Sequence, residues 1–404
     1  MPSPEFFSGG SPEQVPNEEI EQNREVIFQD EKLRVHHPLE QAIPLEEGIQ
    51  LVVDNGQEIS HRNQQDVPAL LRAAYYALAV AKVEAEGRFT KEFWANIQMN
   101  SWPGTEKGIN VFGKSPQSKE GWGKPVNLRP TEARKPESLD QNQKAKLQRT
   151  MELYLPRWEK KAQEITVFDG GVNEIKPDNE VFQKESEIWI NRPDPWQERA
   201  VWLNEKFVLV VVKNPHLDGL HLVCHARKDY WSKVGEKGVV KAWQTPKGEE
   251  DPKYLNGFVE SNAILLGADQ IIQEAGDFHN AEIHFSGNWG FRPLEPASKE
   301  VGGREVDSSY LKEENLEQAR KMEKVGVQDA WAGGDPDWHS HGHLYATRSP
   351  DKYVTLPSRP MKEVPEEWVA TKPLSPEEEE KIYQLIQEKL TTWLEANCQG
   401  VKIG

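Results

Sequence analysis

The chain has 404 residues, a formal net charge of -17 and a sequence pI of about 5.2, a balance that repels nucleic acid and anionic membrane surfaces. No run approaches the ~18 apolar residues that crossing a bilayer requires. Mean hydropathy is -0.76 with 28 Pro and 29 Gly, which predicts much loop, while 14 Trp predict a packed core rather than disorder throughout.

Two cysteines, Cys224 and Cys398, are too few for a disulfide framework and fit a reducing compartment. The acidic, turn-rich start lacks a basic region followed by an apolar run, so a cytoplasmic protein is expected.

Residues 1–25 combine Ser, Gly, Pro and Glu without periodicity and predict a mobile arm. A Trp-rich region follows over 26–195. Between Val26 and Val53, short apolar pieces separated by turn residues predict small strands. From Asp66 to Glu86, apolar residues at Val67, Leu70, Leu71, Ala74, Leu78, Ala81 and Val83 follow the helical period and predict a helix with a buried stripe. Phe89 to Asn127 is aromatic and Gly-rich, and predicts an irregular Trp-packed subdomain. A helix is expected over Lys144 to Gln163, and Glu187-Ile188-Trp189-Ile190 has the short alternation of a strand.

At about residue 200 the character changes, and 196–348 predicts one α+β unit. Phe207 to Val212 is a continuous apolar run suited to a strand buried on both faces. A turn at 214–219 leads to the returning strand His221 to Arg227, an antiparallel pair. Phe258 to Ala275 predicts a helix stopped by Gly276, and Ala281 to Ser286 a strand broken at Gly287-Asn288-Trp289-Gly290. Residues 292–334 form a polar insertion with a surface helix expected near Glu313 to Lys324. In the last segment, 349–404, a Pro-rich stretch precedes a helix that begins with the capping box Ser375-Pro376-Glu377-Glu378 and carries Ile382, Leu385, Ile386, Leu390, Trp393 and Leu394 on one face. No internal repeat is legible.

The chemistry concentrates at Trp338-His339-Ser340-His341-Gly342-His343. Alternate residues of a strand share a face, so one strand presents three imidazoles. Neutral imidazole is a competent nucleophile near pH 7, and its pKa of about 6.5 lets neighbours shift its proton at little cost.

A strand pair, a helix, a strand ending in Asn and then a His-x-His-x-His strand resemble, over residues 200–348, the histidine-triad (HIT)/galactose-1-phosphate uridylyltransferase-like superfamily of nucleotide hydrolases and transferases. The resemblance implies an antiparallel sheet with flanking helices, enlarged here by the N-terminal region and the C-terminal helix. It implies that His341 attacks phosphorus to give a covalent intermediate, with His339 and His343 flanking it. His221 would reach the same phosphate, Asn288 would stand beside the phosphates or ribose, and Arg227 would be the basic residue after the second strand. Lys213-Asn214 stand where nucleotide-binding members have an acidic ribose contact. His284 is a candidate pocket residue, and Trp289 and Trp338 are candidate stacking surfaces for a base. No cofactor is required by this reading. The expected partner is a small anionic or nucleotide-like substrate, with neither nucleic acid nor membrane, and a homodimer is possible.

Two other readings use the same residues. His339, His341 and His343 could ligate Zn or Fe on a HIT-like or cupin-like scaffold acting on a non-nucleotide molecule. Alternatively, the chain binds nucleotides without turning them over.

Overall fold

A computed structural model describes residues 26–29, 34–36, 48–54, 59–88, 93–100, 109–114, 140–190, 197–213, 220–227, 252–276, 278, 280–289, 299–301, 304–306, 340–347 and 374–404. The structure is α+β. Three strands open it, β1 (Val26–Gln29), β2 (Arg34–His36) and β3 (Gly48–Asp54). Helix α1 (Val67–Arg88), strands β4 (Phe93–Asn100) and β5 (Ile109–Lys114) and helix α2 (Gln141–Ala162) follow. After a shorter helix, α3 (Glu180–Ile190), come β6 (Gln197–Leu203), β7 (Phe207–Lys213), β8 (Leu220–Ala226), helix α4 (Pro252–Ala275) and β9 (Asn280–Trp289). The small hairpin β10 (Lys299–Val301) and β11 (Arg304–Val306) lies in the insertion, before β12 (Ser340–Thr347) and helix α5 (Pro376–Asn397).

Ten of the strands form one antiparallel sheet in the order β1-β2-β3-β5-β4-β9-β12-β8-β7-β6. That order is a duplication. With the short helix α3 and the β10–β11 hairpin set aside, each half of the described chain runs three strands, a helix, two strands and a helix, and within each half the last strand lies between the third and the fourth. The halves meet where β4 pairs with β9, from Phe93 opposite Trp289 to Asn100 opposite Glu282. Antiparallel pairing of equivalent strands places a local two-fold between them. The second and fourth long helices, α2 and α5, are both 22 residues long, and α1 and α4 are 22 and 24. The repeat is invisible as sequence identity because packing needs only apolar residues at the right period, not the same residues.

The four long helices and the sheet enclose one large core. From the sheet it takes Val35, Leu51, Val53, Met99, Ile109, Phe207, Leu209, Val211, Leu222, Ile283 and Leu344, and from the helices Leu70, Leu71, Val259, Leu266, Ile386 and Leu390, all buried. α4 packs on α1 and α5 and reaches β8, β9 and β12, so it supports the middle of the sheet from below. The α5 stripe expected from sequence is in place, and Ser375 caps it: the hydroxyl accepts from Glu378 N–H at 3.2 Å while Glu378 accepts from Ser375 N–H at 2.9 Å.

On the opposite face, a second cluster joins Val208, Val210, Val223, Ala200 and Leu203 to Phe182 and Trp189 of α3. β7 is therefore buried on both faces, as its unbroken apolar run predicts, and its partner β8 is antiparallel. The alternation at 187–190 is corrected. It belongs to the last turn of α3, because Phe182 and Trp189 are two helical turns apart and both face this second cluster.

Two further expectations change. Within 89–127, β4 and β5 form a regular hairpin, and β4 alternates Asn96, Gln98 and Asn100 with Ala95, Ile97 and Met99, the pattern of a strand with one buried face. β9 runs through Gly287-Asn288 to Trp289 rather than stopping, because β4 hydrogen-bonds it along that whole length. The expected arm at 1–25 and the expected surface helix at 313–324 lie outside the described residues. Among the described residues, no helix is long and apolar enough to cross a membrane.

Candidate functional site

β12 is an interior strand, flanked by β8 and β9, and its two sets of alternate positions have different characters. Leu344 and Ala346 are buried in the helix-side core. Positions 341, 343 and 345 are the other set, on the face away from α4. On the neighbouring strands the sequence puts mostly polar residues at the positions of that set. On β9 the same set is Glu282, His284, Ser286 and Asn288, alternating with buried Ile283. On β4 it is Asn96, Gln98 and Asn100, alternating with buried Met99.

The register assembles rungs across these strands. His341 stands opposite Ser286 on β9 and opposite His225 on β8. His343 stands opposite His284 and Val223, and Tyr345 opposite Glu282 and His221. Gln98 continues the His284 rung and Asn96 the Ser286 rung, so a strand of the first half borders the histidine cluster. Asn288 is one alternate position beyond Ser286 and pairs with Trp94. Five histidine positions, His221, His225, His284, His341 and His343, thus share one face of three adjacent strands.

The β8 side chains are held firmly. His221 is 8% exposed, His225 5% and Arg227 8%. Trp189 of α3 stacks on His225 with ring centroids 4.7 Å apart and planes at 27°. The Trp189 indole N–H donates to Glu185 at 3.2 Å, and Glu185 also accepts from Arg227 Nε at 3.2 Å. Arg227 Nη1 donates to the Asn204 carbonyl at 3.0 Å, so its guanidinium ties β8 to α3 and to the β6–β7 turn. Cys224, between the two β8 histidines, points into the helix-side core, and burial pushes its thiol pKa up, which keeps it a packing residue.

The sequence candidates therefore divide. His221, His284, Asn288, His341 and His343 come together on one face. Lys213 ends β7, and Trp289 ends β9 on the alternate set from Asn288. His339, Trp338 and Asn214 lie outside the described residues. His225 was missed by sequence reasoning, although its spacing from His221 is that of two residues on one face of a strand.

Among the described residues of the first half, the register brings together no second set of histidine positions of this kind. β5, which occupies the place of β12, carries Asn110, Phe112 and Lys114 in its polar-face positions. On the same face Asp54 is occupied by Arg34, which donates from Nε at 3.0 Å and from Nη2 at 2.9 Å, and by His36 Nε2 at 2.8 Å.

No family model, curated protein or solved structure matches the chain.

Proposed function

We propose that this protein is a histidine-triad-type enzyme, a nucleotidyl or phosphoryl hydrolase or transferase that works through a covalent intermediate on His341. The observation that carries this reading is the register of β12. In the backbone register His341 stands opposite His225 of β8, and two residues on, His343 stands opposite His284 of β9. A HIT-like antiparallel sheet, duplicated within one chain, is the scaffold consistent with it.

In the first step an imidazole nitrogen of His341 bonds to phosphorus as the bond to the leaving oxygen breaks, and that oxygen takes a proton from a neighbouring imidazolium. In the second step water or an acceptor hydroxyl attacks phosphorus, the phosphorus–nitrogen bond breaks and the imidazole is restored. Polar donors of β4 and β9 suit the stabilisation of charge on the phosphoryl oxygens. Asn288, one alternate position from the Ser286 rung, is the proposed phosphate contact, whereas His221, opposite Tyr345, stands two rungs from His341 and is not assigned that role.

The test is intact-mass analysis after incubation with nucleoside diphosphate sugars and dinucleoside polyphosphates. A nucleotidyl adduct that maps to His341 and disappears in His341→Ala supports the reading; no adduct and no turnover across the panel overturn it. The paired histidines also favour a second reading, a Zn or Fe centre, because imidazole is a common ligand for both ions. Stoichiometric metal required for activity, found in the purified protein, would select that reading instead.

A further inference from the structure

We infer that Arg227 and Glu185 are positioning residues: acting through Trp189 of α3, they fix the imidazole of His225 on the histidine face, and neither is a contact for phosphate. The inference rests on that face being the active one.

The contacts run in one series. Arg227 Nε donates to one carboxylate oxygen of Glu185 at 3.2 Å, and the other accepts the Trp189 indole N–H at 3.2 Å. The Trp189 ring in turn lies 4.7 Å from that of His225, with the planes at 27°. Glu185 and Trp189 are four residues apart, so they share one face of α3. The far end of the series is anchored in the β6–β7 turn: Arg227 Nη1 donates to the Asn204 carbonyl at 3.0 Å, and the Arg227 backbone N–H donates to the Lys206 carbonyl at 2.8 Å.

Holding α3 against the sheet does not require this ion pair. Phe182 and Trp189 already pack with Val208, Val210 and Val223 in an apolar cluster. Arg227 and Glu185 are largely removed from water, and a buried ion pair stabilises a fold little compared with apolar residues of similar size. Direction is what such a pair supplies. A planar guanidinium bound to both a carboxylate and a carbonyl is held in one orientation. Its carboxylate partner is held with it, and so is the indole whose N–H that carboxylate accepts. Stacking of two rings depends on the plane of each, so fixing the indole fixes the imidazole.

The same contacts argue against a phosphate role for Arg227. Its side chain is buried and engaged at Nε and Nη1, and an anion drawn to it would meet the charge of the Glu185 carboxylate.

The experiment reads the reactivity of His225 on the full-length protein. Diethyl pyrocarbonate acylates imidazole, and peptide mass mapping follows the rate at position 225 with His221 of the same strand as internal reference. In Trp189→Leu the rate at His225 is expected to rise about two- to tenfold, the effect of losing a stacked ring pair. Arg227→Met and Glu185→Ala leave both rings in the chain, yet each should raise the rate at His225 without changing that at His221. Trp189→Leu combined with Arg227→Met should give no further rise, because both act through one series of contacts. Glu185→Gln, with a smaller rise expected, serves if Glu185→Ala fails to fold by near-ultraviolet circular dichroism. An unchanged rate at His225 in the folded variants overturns the assignment. So does an equal rise at both histidines, which would report general loosening of β8.

Adduct formation with a dinucleoside polyphosphate, measured in parallel, separates the two levels. A positioning role lowers the limiting rate in Arg227→Met and leaves the half-saturating concentration unchanged. A raised half-saturating concentration with wild-type acylation at His225 marks Arg227 as a phosphate contact, which overturns the assignment and leaves the nucleotidyl reading standing. The expected acylation changes without any adduct in the wild type overturn the nucleotidyl reading and leave the Arg227–Glu185–Trp189 series standing.

Discussion

His61 Nε2 lies 3.4 Å from the Asp269 carboxylate, with both side chains only 1% exposed, and this contact joins the loop before α1 in the first half to α4 in the second. Gln270 reinforces it by donating to the His61 carbonyl at 2.8 Å, and Arg62 donates to the Phe278 carbonyl at 2.6 Å. The two halves are therefore linked by a buried polar contact as well as by the β4–β9 ladder.

That contact predicts opposite pH slopes in two single variants. Burial, with the Arg62 guanidinium adding to it, pushes the His61 pKa from 6.5 down to about 3. Burial pushes Asp269 from 3.8 up to about 7, against the opposing pull of Arg62. In Asp269→Asn the unfolded chain protonates His61 below pH 6.5 while the native chain does not, so stability falls as pH drops from about 6.5 towards 3. In His61→Asn the native chain keeps the Asp269 proton after the unfolded chain has lost it, so stability falls as pH rises from about 3.8 to about 7. Each slope is worth on the order of a few kcal/mol over its window. Urea unfolding at pH 4, 5, 6 and 7 measures them; slopes of the same sign in the two variants contradict the prediction, and the wild type should be flatter than either.

A second prediction concerns Glu260, buried within α4. Lys206 Nζ is 2.7 Å from both of its carboxylate oxygens, and the Phe168 N–H donates to it at 3.1 Å. Burial raises its pKa and Lys206 opposes that. Lys206→Met leaves the charge with one backbone donor and should cost about 3 kcal/mol at neutral pH, less under acid conditions where Glu260 protonates. In a double-mutant cycle, Glu260→Gln should recover much of the loss; strict additivity would show that the pair is not coupled.

The helix pair α4–α5 offers a steric test. A Cβ on Gly267 would lie 2.6 Å from Leu390 Cδ1 and 2.7 Å from Trp393 Cε3. Alanine gains up to about 1 kcal/mol in helix propensity over glycine, yet the overlap should win, with a net cost of about 1–2 kcal/mol. A lowered denaturation midpoint in Gly267→Ala is the expected result, and in a double-mutant cycle the same substitution should cost less in a Leu390→Ala background than in the wild type.

Duplication of the fold does not duplicate the site. Because β5 carries Asn110, Phe112 and Lys114 where β12 carries histidines, the proposed mechanism predicts one covalent nucleotidyl group per chain at saturation. Intact-mass titration reads the stoichiometry, and two groups per chain would place a second nucleophile elsewhere.

What was legible in the sequence is what depends on neighbours along the chain. The helices α1, α4 and α5, the doubly buried run of β7, the Ser375 capping box and the strand that carries His341 and His343 all follow from local pattern. Where a segment depends on distant partners, local pattern misled: 187–190 alternates like a strand but sits in a helix under Trp189, and Gly287-Asn288 looks like a break but is held in β9 by β4.

The sequence by itself determined that His341 and His343 share one strand face and that a largely apolar helix precedes that strand in the chain. Only the tertiary structure decided that β8 brings His225 opposite His341, that β9 brings His284 opposite His343, and that the two halves repeat one strand order. Cross-strand register is set by hydrogen bonds between segments far apart in the chain, and a shift of one residue would send every histidine to the other face.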